Sequence, residues 1–230
     1  MTDEEIQEGS DRVTGILNRA NWGIWRFAGQ TRFGRGRMRL SDGGTEATDG
    51  HIAVRVNAPI NQCFGSEHDI VRDQKFDICA DLEGAKQIEK EIPLNPSISR
   101  FGNTGVQVLE KCVKVGGFTR NGDPRVQSVE RLSGSHHNLF LLWGGRLKAI
   151  ANGEETPGEF RVILDARIMR DFCDYVLRYS GKKSASPIHF QFNGPNSVVI
   201  ALAELEQSQI TAAIMPMREG NRGWRDLAKT

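Results

Sequence analysis

Apolar residues cluster through Phe160, Val162, Ile163 and Leu164, and the run 160–164 predicts a strand. Asp165 follows as a helix cap, and Ile168, Met169, Phe172, Tyr175, Val176 and Tyr179 then recur at helical spacing on one face. Arg167, Arg170, Asp174 and Arg178 fall off that stripe, and Gly181 supplies a stop. Strands are predicted next at 188–192, 198–202 and 210–215, so that 160–217 reads β-α-β-β-β.

The same order is predicted upstream. Residues 76–80 read as a strand, Asp81 as a cap, and Leu82, Ala85 and Ile88 as one helix face, with Lys86 and Lys90 pointing elsewhere and Pro93 ending the run. Strands are expected at 97–101, 106–109 and 113–118. Nearer the amino terminus, Val13, Ile16, Leu17 and Ala20 predict a short helix, followed by strands at 38–40 and 51–56. The stretch 123–159 breaks the pattern: it offers strands at 139–143 and 146–151 across a Gly144-Gly145 turn, with no helical period ahead of them. The expected fold class is α+β, built from repeated β-α-β-β-β units with helices on one face of antiparallel sheets.

At 230 residues the chain can hold two modest domains or one large one. Lys plus Arg number 30 against 29 Asp plus Glu, so overall charge gives no sign of a nucleic-acid partner, and any basic surface must come from local segregation. Such segregation occurs in 26–40, where Arg26, Arg32, Arg35, Arg37 and Arg39 stand with no acidic residue. No run approaches the ~18 apolar residues of a membrane span, and the start Met1-Thr2-Asp3-Glu4-Glu5 is acidic, so a soluble, cytoplasmic protein with no membrane partner is expected.

Cys63, Cys79, Cys112 and Cys173 form no CxxC pair and read as reduced thiols, so neither a metal nor a cofactor is expected. His136 and His137 are adjacent rather than at a ligand spacing, and Gly34-Arg35-Gly36 lacks the strand-turn-helix setting of a nucleotide loop. No GxSxG, P-loop or HExxH occurs, so no catalytic residue is assigned and the chain reads as a non-enzyme.

Two short segments carry more. Ala47-Thr48-Asp49-Gly50-His51 follows the turn Ser41-Asp42-Gly43-Gly44, and Ala213-Ile214-Met215-Pro216-Met217-Arg218 closes the last predicted unit. By themselves Met215 and Met217 read as core residues on a strand and His51 as a structural histidine. Together they resemble the bacterial DNA polymerase III β subunit, the DNA sliding clamp, whose middle domain carries Ala-Thr-Asp-Gly-His-Arg-Leu-Ala and whose last strand closes with Val-Met-Pro-Met-Arg. Here Ile52-Ala53 follows His51 in place of Arg-Leu-Ala. The resemblance covers about residues 10–218 and is loose between the two motifs.

The resemblance implies a DNA clamp-like fold in two parts, 1–122 carrying the first motif and 123–218 ending in the second, followed by a tail, 219–230. It implies a pocket for short peptides of polymerases and other DNA-handling proteins, with Thr48, Gly50 and His51 on one wall, Ala213, Met215 and Met217 on the other, and Pro216 and Arg218 at its border. It also implies a basic inner surface that holds double-stranded DNA without reading its sequence. The candidates are Arg26, Arg32, Arg35, Arg37 and Arg39, then Lys86 and Lys90, and finally Arg167, Arg170, Arg178, Lys182 and Lys183. The family ring has six domains from two chains of three. This chain resembles the middle and last domains, so a homo-oligomer of three copies is the expected ring, encoded by a bacterium or by a phage or other mobile element. The other reading is a clamp-derived module, or clamp mimic, that binds protein partners without encircling DNA.

Overall fold

Asn18 and Asn21 begin the first helix by capping each other: the Asn18 side chain accepts from the Asn21 N–H at 3.0 Å, and the Asn21 side chain accepts from the Asn18 N–H at 3.0 Å. The computed structural model describes residues 13–29, 37–60, 75–93, 102–118, 124–132, 162–181, 186–192, 194 and 197–217. In chain order the elements are β1 (Gly15–Asn18), α1 (Arg19–Gly23) with a 3-10 turn (Ile24–Phe27), β2 (Arg37–Ser41), β3 (Gly44–Thr48) and β4 (Ile52–Asn57). Then come β5 (Asp77–Asp81), α2 (Leu82–Glu91), β6 (Asn103–Val108), β7 (Cys112–Phe118) and β8 (Pro124–Leu132). The last group is α3 (Ala166–Tyr179), β9 (Ile188–Gln191), β10 (Val199–Glu204) and β11 (Gln209–Ile214).

These strands form one eleven-stranded sheet in the order β1-β6-β7-β8-β5-β2-β3-β4-β11-β10-β9. The first two β-α-β-β-β units interlock, because β1 of the first pairs with β6 of the second and β5 of the second pairs with β2 of the first, both antiparallel. The third unit joins through one ladder, β11 antiparallel to β4, with Ile214 opposite Ile52 and Ile210 opposite Val56.

Three readings of the sequence are corrected. Ile16 and Leu17 lie in β1 rather than in a helix, which starts at Arg19. The strand's last three residues are all buried, so it lacks a two-residue alternation, and over four residues an apolar run does not distinguish strand from helix. The strand expected at 160–164 is not formed at 162–164. The equivalent strand of the second unit, β5, is paired to β2, and no described strand offers the third unit such a partner; the Ile163 carbonyl instead accepts from the Met217 N–H at 2.8 Å.

The third correction is β8, which was not expected at all. Its apolar residues Val126, Val129 and Leu132 recur every third position and hide the strand period, yet it pairs with β7 from Phe118 opposite Pro124 to Cys112 opposite Glu130. A boundary at 122 would cut that ladder from its unit. The strands expected at 97–101, 139–143 and 146–151 lie outside the described residues.

The helices gather over a shared core. Phe172, Tyr175, Val176 and Tyr179 of α3 are buried, matching the expected stripe, and the Phe27 ring lies 5.2 Å from Tyr175 and 6.5 Å from Phe172. Trp22 is fully buried and donates its indole N–H to the Thr104 hydroxyl at 2.8 Å, fixing α1 over β6. Asp81 caps α2 as expected, its carboxylate accepting from the N–H groups of Glu83 at 3.2 Å and Gly84 at 2.7 Å. Asp81→Ala is expected to destabilise the fold by about 1 kcal/mol, measured by urea unfolding.

Candidate functional site

The turn between β3 and β4 is held by its own side chains. The Thr48 hydroxyl donates to the Ile52 carbonyl at 2.8 Å and accepts from the Gly50 N–H at 3.0 Å, while one Asp49 oxygen accepts from the N–H groups of His51 at 2.8 Å and Ile52 at 2.9 Å. Gly50 has φ +91°, a conformation that disfavours a side chain. The chain then enters β4 already paired to β11, and the ladder's next bond runs from the Met215 N–H to the His51 carbonyl at 2.8 Å. The two motifs are therefore neighbours, although chain positions 51 and 215 lie far apart.

An open groove of about 630 Å³ lies beside them. His51, Met215, Pro216 and Met217 line it, and Met215 and Met217 are 41% and 51% exposed, which sets aside their reading as core. Thr48 is buried and shapes the turn without lining the groove; Gly50 supplies the backbone conformation; Ala213 is buried opposite Ala53. Arg218 lies outside the described residues.

Sequence reasoning missed the groove's remaining wall. It comes from Asp49 and from the start of α3, where Asp165, Arg167, Ile168 and Asp171 face the methionines. Asp165 caps the helix as its place in the sequence predicts, accepting from the Arg167 N–H at 2.8 Å. Nothing local in the sequence sets that turn against β11; the Met217 to Ile163 hydrogen bond does.

The expected basic residues fall into separate groups. Arg26 reaches the buried Glu89 carboxylate at 2.9 Å and packs over the Trp25 ring at 4.7 Å. Arg178 lies 3.8 Å from Glu89, and Lys86 lies 5.4 Å from the centre of the Trp25 ring. Arg19, which sequence reasoning passed over, approaches the same carboxylate at 3.5 Å. Three guanidiniums thus surround one carboxylate, Lys86 also lies 3.6 Å from Glu83, and Lys90 is exposed in the last turn of α2.

Glu89 also accepts from the Tyr179 hydroxyl at 2.6 Å and the Trp25 indole N–H at 3.1 Å. Burial pushes the Glu89 carboxyl up, but the Tyr179 hydrogen bond, the Arg26 charge and the Trp25 N–H outweigh it and hold it below its ordinary value. Burial and the adjacent Glu89 carboxylate together push the Tyr179 hydroxyl up, so it stays protonated and donating.

Arg39 is placed differently from the expectation. It bonds Asp77 through two contacts of 2.6 Å and Glu46 at 2.9 Å, and these carboxylates balance its charge within the sheet. Arg37 begins β2 opposite Asp81. Arg167 and Arg170 are exposed at the groove end of α3, beside Asp165 and Asp171. Arg32, Arg35, Lys182 and Lys183 lie outside the described residues.

Among the described residues, no group of three His, Cys, Asp or Glu side chains is placed to hold a metal ion, and no helix is long and apolar enough to cross a membrane. Antiparallel β-α-β-β-β units sharing one sheet define a DNA clamp-like α+β fold. No protein-family model matches the chain, and no curated protein matches its sequence.

Solved structures do share the fold. The DNA polymerase III subunit β from Pseudomonas aeruginosa superposes with a TM-score of 0.51 over 89% of this chain and 67% of that chain, at 11% identity. The pol III β of Caulobacter crescentus does so with a TM-score of 0.54 over 91% of this chain and 67% of that chain, at 12% identity. The chain has the fold of bacterial DNA polymerase III β sliding clamps and spans about two thirds of their length.

Proposed function

We propose that this chain is a sliding clamp-like processivity factor that encircles duplex DNA as a ring of copies, three by domain count, and docks short peptides of polymerases and other DNA-handling proteins. The observation that carries the reading is the groove itself, where the His51 turn and the exposed Met215 and Met217 meet across the β4–β11 ladder. Flexible, polarisable methionines can repack around different partner side chains, which suits a surface that serves several proteins. The role requires binding and topology, not catalysis. Arg19, Arg26, Arg178, Lys86 and Lys90 supply positive charge on the helices, suited to phosphates in a protein that slides. The part carrying the first motif runs through β8, and the protein works in the cytoplasm of a bacterium, encoded by the cell or by a mobile element.

The expected results are a solution mass of three chains, retention on circular duplex DNA, and loss of retention when that DNA is linearised. A strict monomer that is not retained refutes the ring. Met215→Ala combined with His51→Ala is expected to weaken docking of a polymerase-derived peptide at least about tenfold, about 1.4 kcal/mol, by fluorescence anisotropy.

A second reading, a clamp-derived module that binds proteins without forming a ring, is favoured by the third unit. It has no second unit interlocked with it among the described residues. Peptide binding by a protein that stays monomeric would select this reading.

A further inference from the structure

We propose that the groove's own occupant is the tail of the same chain: residues 218–223 lead back from β11 and lay the Trp224 ring on Met215 and Met217, so that a partner peptide binds only by displacing it. This rests on the docking reading above and adds an internal competitor to it.

Among the described residues eight large apolar side chains are exposed, and three of them, Ile163, Met215 and Met217, gather at one rim. The Met217 N–H holds Ile163 there by donating to its carbonyl at 2.8 Å. Pro216 and Ile168 continue this apolar surface into the open groove of about 630 Å³. Single exposed apolar residues are ordinary, whereas a cluster rimming a groove marks a surface that binds something.

What starts from that rim is the tail. Met217 is the last described residue and lines the groove itself. The six residues after it, Arg218-Glu219-Gly220-Asn221-Arg222-Gly223, carry no large apolar side chain, and Trp224 is the first to follow. Gly220 and Gly223 permit the backbone reversal that a return to the groove requires. Seven residues reach ~25 Å at full extension and average ~15 Å as a flexible chain, so Trp224 is tethered within range of the surface its linker leaves. A group on so short a tether acts at an effective concentration on the order of millimolar, enough to fill a site that it would bind only weakly in free solution. An indole also suits these side chains, because it offers ~150–250 Å² for burial and thioether sulfurs pack favourably against aromatic rings.

The test compares the full chain, its Trp224→Ala variant and a chain lacking residues 219–230. With methionine methyls labelled for NMR, the ring current of Trp224 is expected to displace the Met215 and Met217 resonances in the full chain. Trp224→Ala then moves both, while the fully buried Met38 stays where it is. A fluorescein-labelled peptide with a Leu-Leu-Phe anchor is expected to bind the shortened chain about fivefold more tightly than the full chain, with Trp224→Ala giving most of that gain. A synthetic peptide of residues 219–230, added to the shortened chain, is expected to compete the probe away.

Unmoved Met215 and Met217 resonances, with equal probe affinity for all three chains, would overturn the proposal and leave peptide docking standing. If the probe binds none of the three, the docking reading falls and this proposal with it. Methyl displacements that fade as the protein is diluted would put Trp224 in the groove of another copy and overturn the same-chain seat.

Discussion

Replacing Glu89 with alanine is expected to lower the free energy of unfolding by about 3–5 kcal/mol, read from urea transitions followed by circular dichroism. The side chain is 2% exposed, and it ties together the α1 region, α2 and α3 through Trp25, Arg26, Arg19 and Tyr179. Removing it leaves guanidiniums facing one another and two donors without their acceptor, a larger loss than the pairing itself is worth. Glu89→Gln keeps an oxygen for Tyr179 and removes only the charge, so a smaller loss is expected.

The sign of the pH dependence follows from the lowered carboxyl. A carboxyl depressed in the folded state contributes stability that is fully present above its ordinary value of 4.5 and is lost as pH falls through the lower folded value. The gap between the native chain and Glu89→Gln is therefore expected to stay constant near neutrality and to narrow in acid below 4.5. A gap that widened as the solution was acidified would contradict this assignment.

Gly44→Ala is expected to be as damaging, lowering the thermal midpoint by about 10 °C or more. Gly44 has φ +130°, and an added Cβ would collide with the Val56 carbonyl oxygen of the paired strand and lie 2.8 Å from the nitrogen of Ala58 just beyond it, both backbone atoms. No side-chain rotation relieves such a contact, and the backbone must open where β3 meets β4. Gly43→Ala is the matched control. Its Cβ would meet the end of the Arg55 side chain at 3.1 Å, which can swing away, so a change near zero is expected there. Similar losses for the two substitutions would show that the hairpin tolerates no side chain for some other reason.

What could be read from the sequence were features whose causes are local. The α3 stripe, the caps at Asp81 and Asp165 and the stop at Gly181 all depend on residues within a turn or two, and the fold reproduces them. The illegible parts have distant causes. Strand β8 is held by β7 and β5 rather than by its own pattern, and residues 162–164 lack the neighbour that makes β5 a strand. Arg26 looks like a spare positive charge until α2 brings Glu89 to it, and Arg39 until β5 and β3 bring Asp77 and Glu46. The groove divides in the same way: the two strand-end segments are visible as motifs, while the wall from α3 depends on where that helix begins in space.

The β4–β11 ladder also dictates when the groove can exist. It joins residues 52–56 to residues 210–214, a pairing with a long intervening chain, and such contacts form late because loop closure must precede any gain from them. During synthesis the His51 turn emerges long before Met215 and Met217, so a nascent chain can complete its first two units and still have no place for a peptide. On the docking reading proposed above, a peptide would engage only chains in which β11 has closed the ladder, and its binding would report on completed folding.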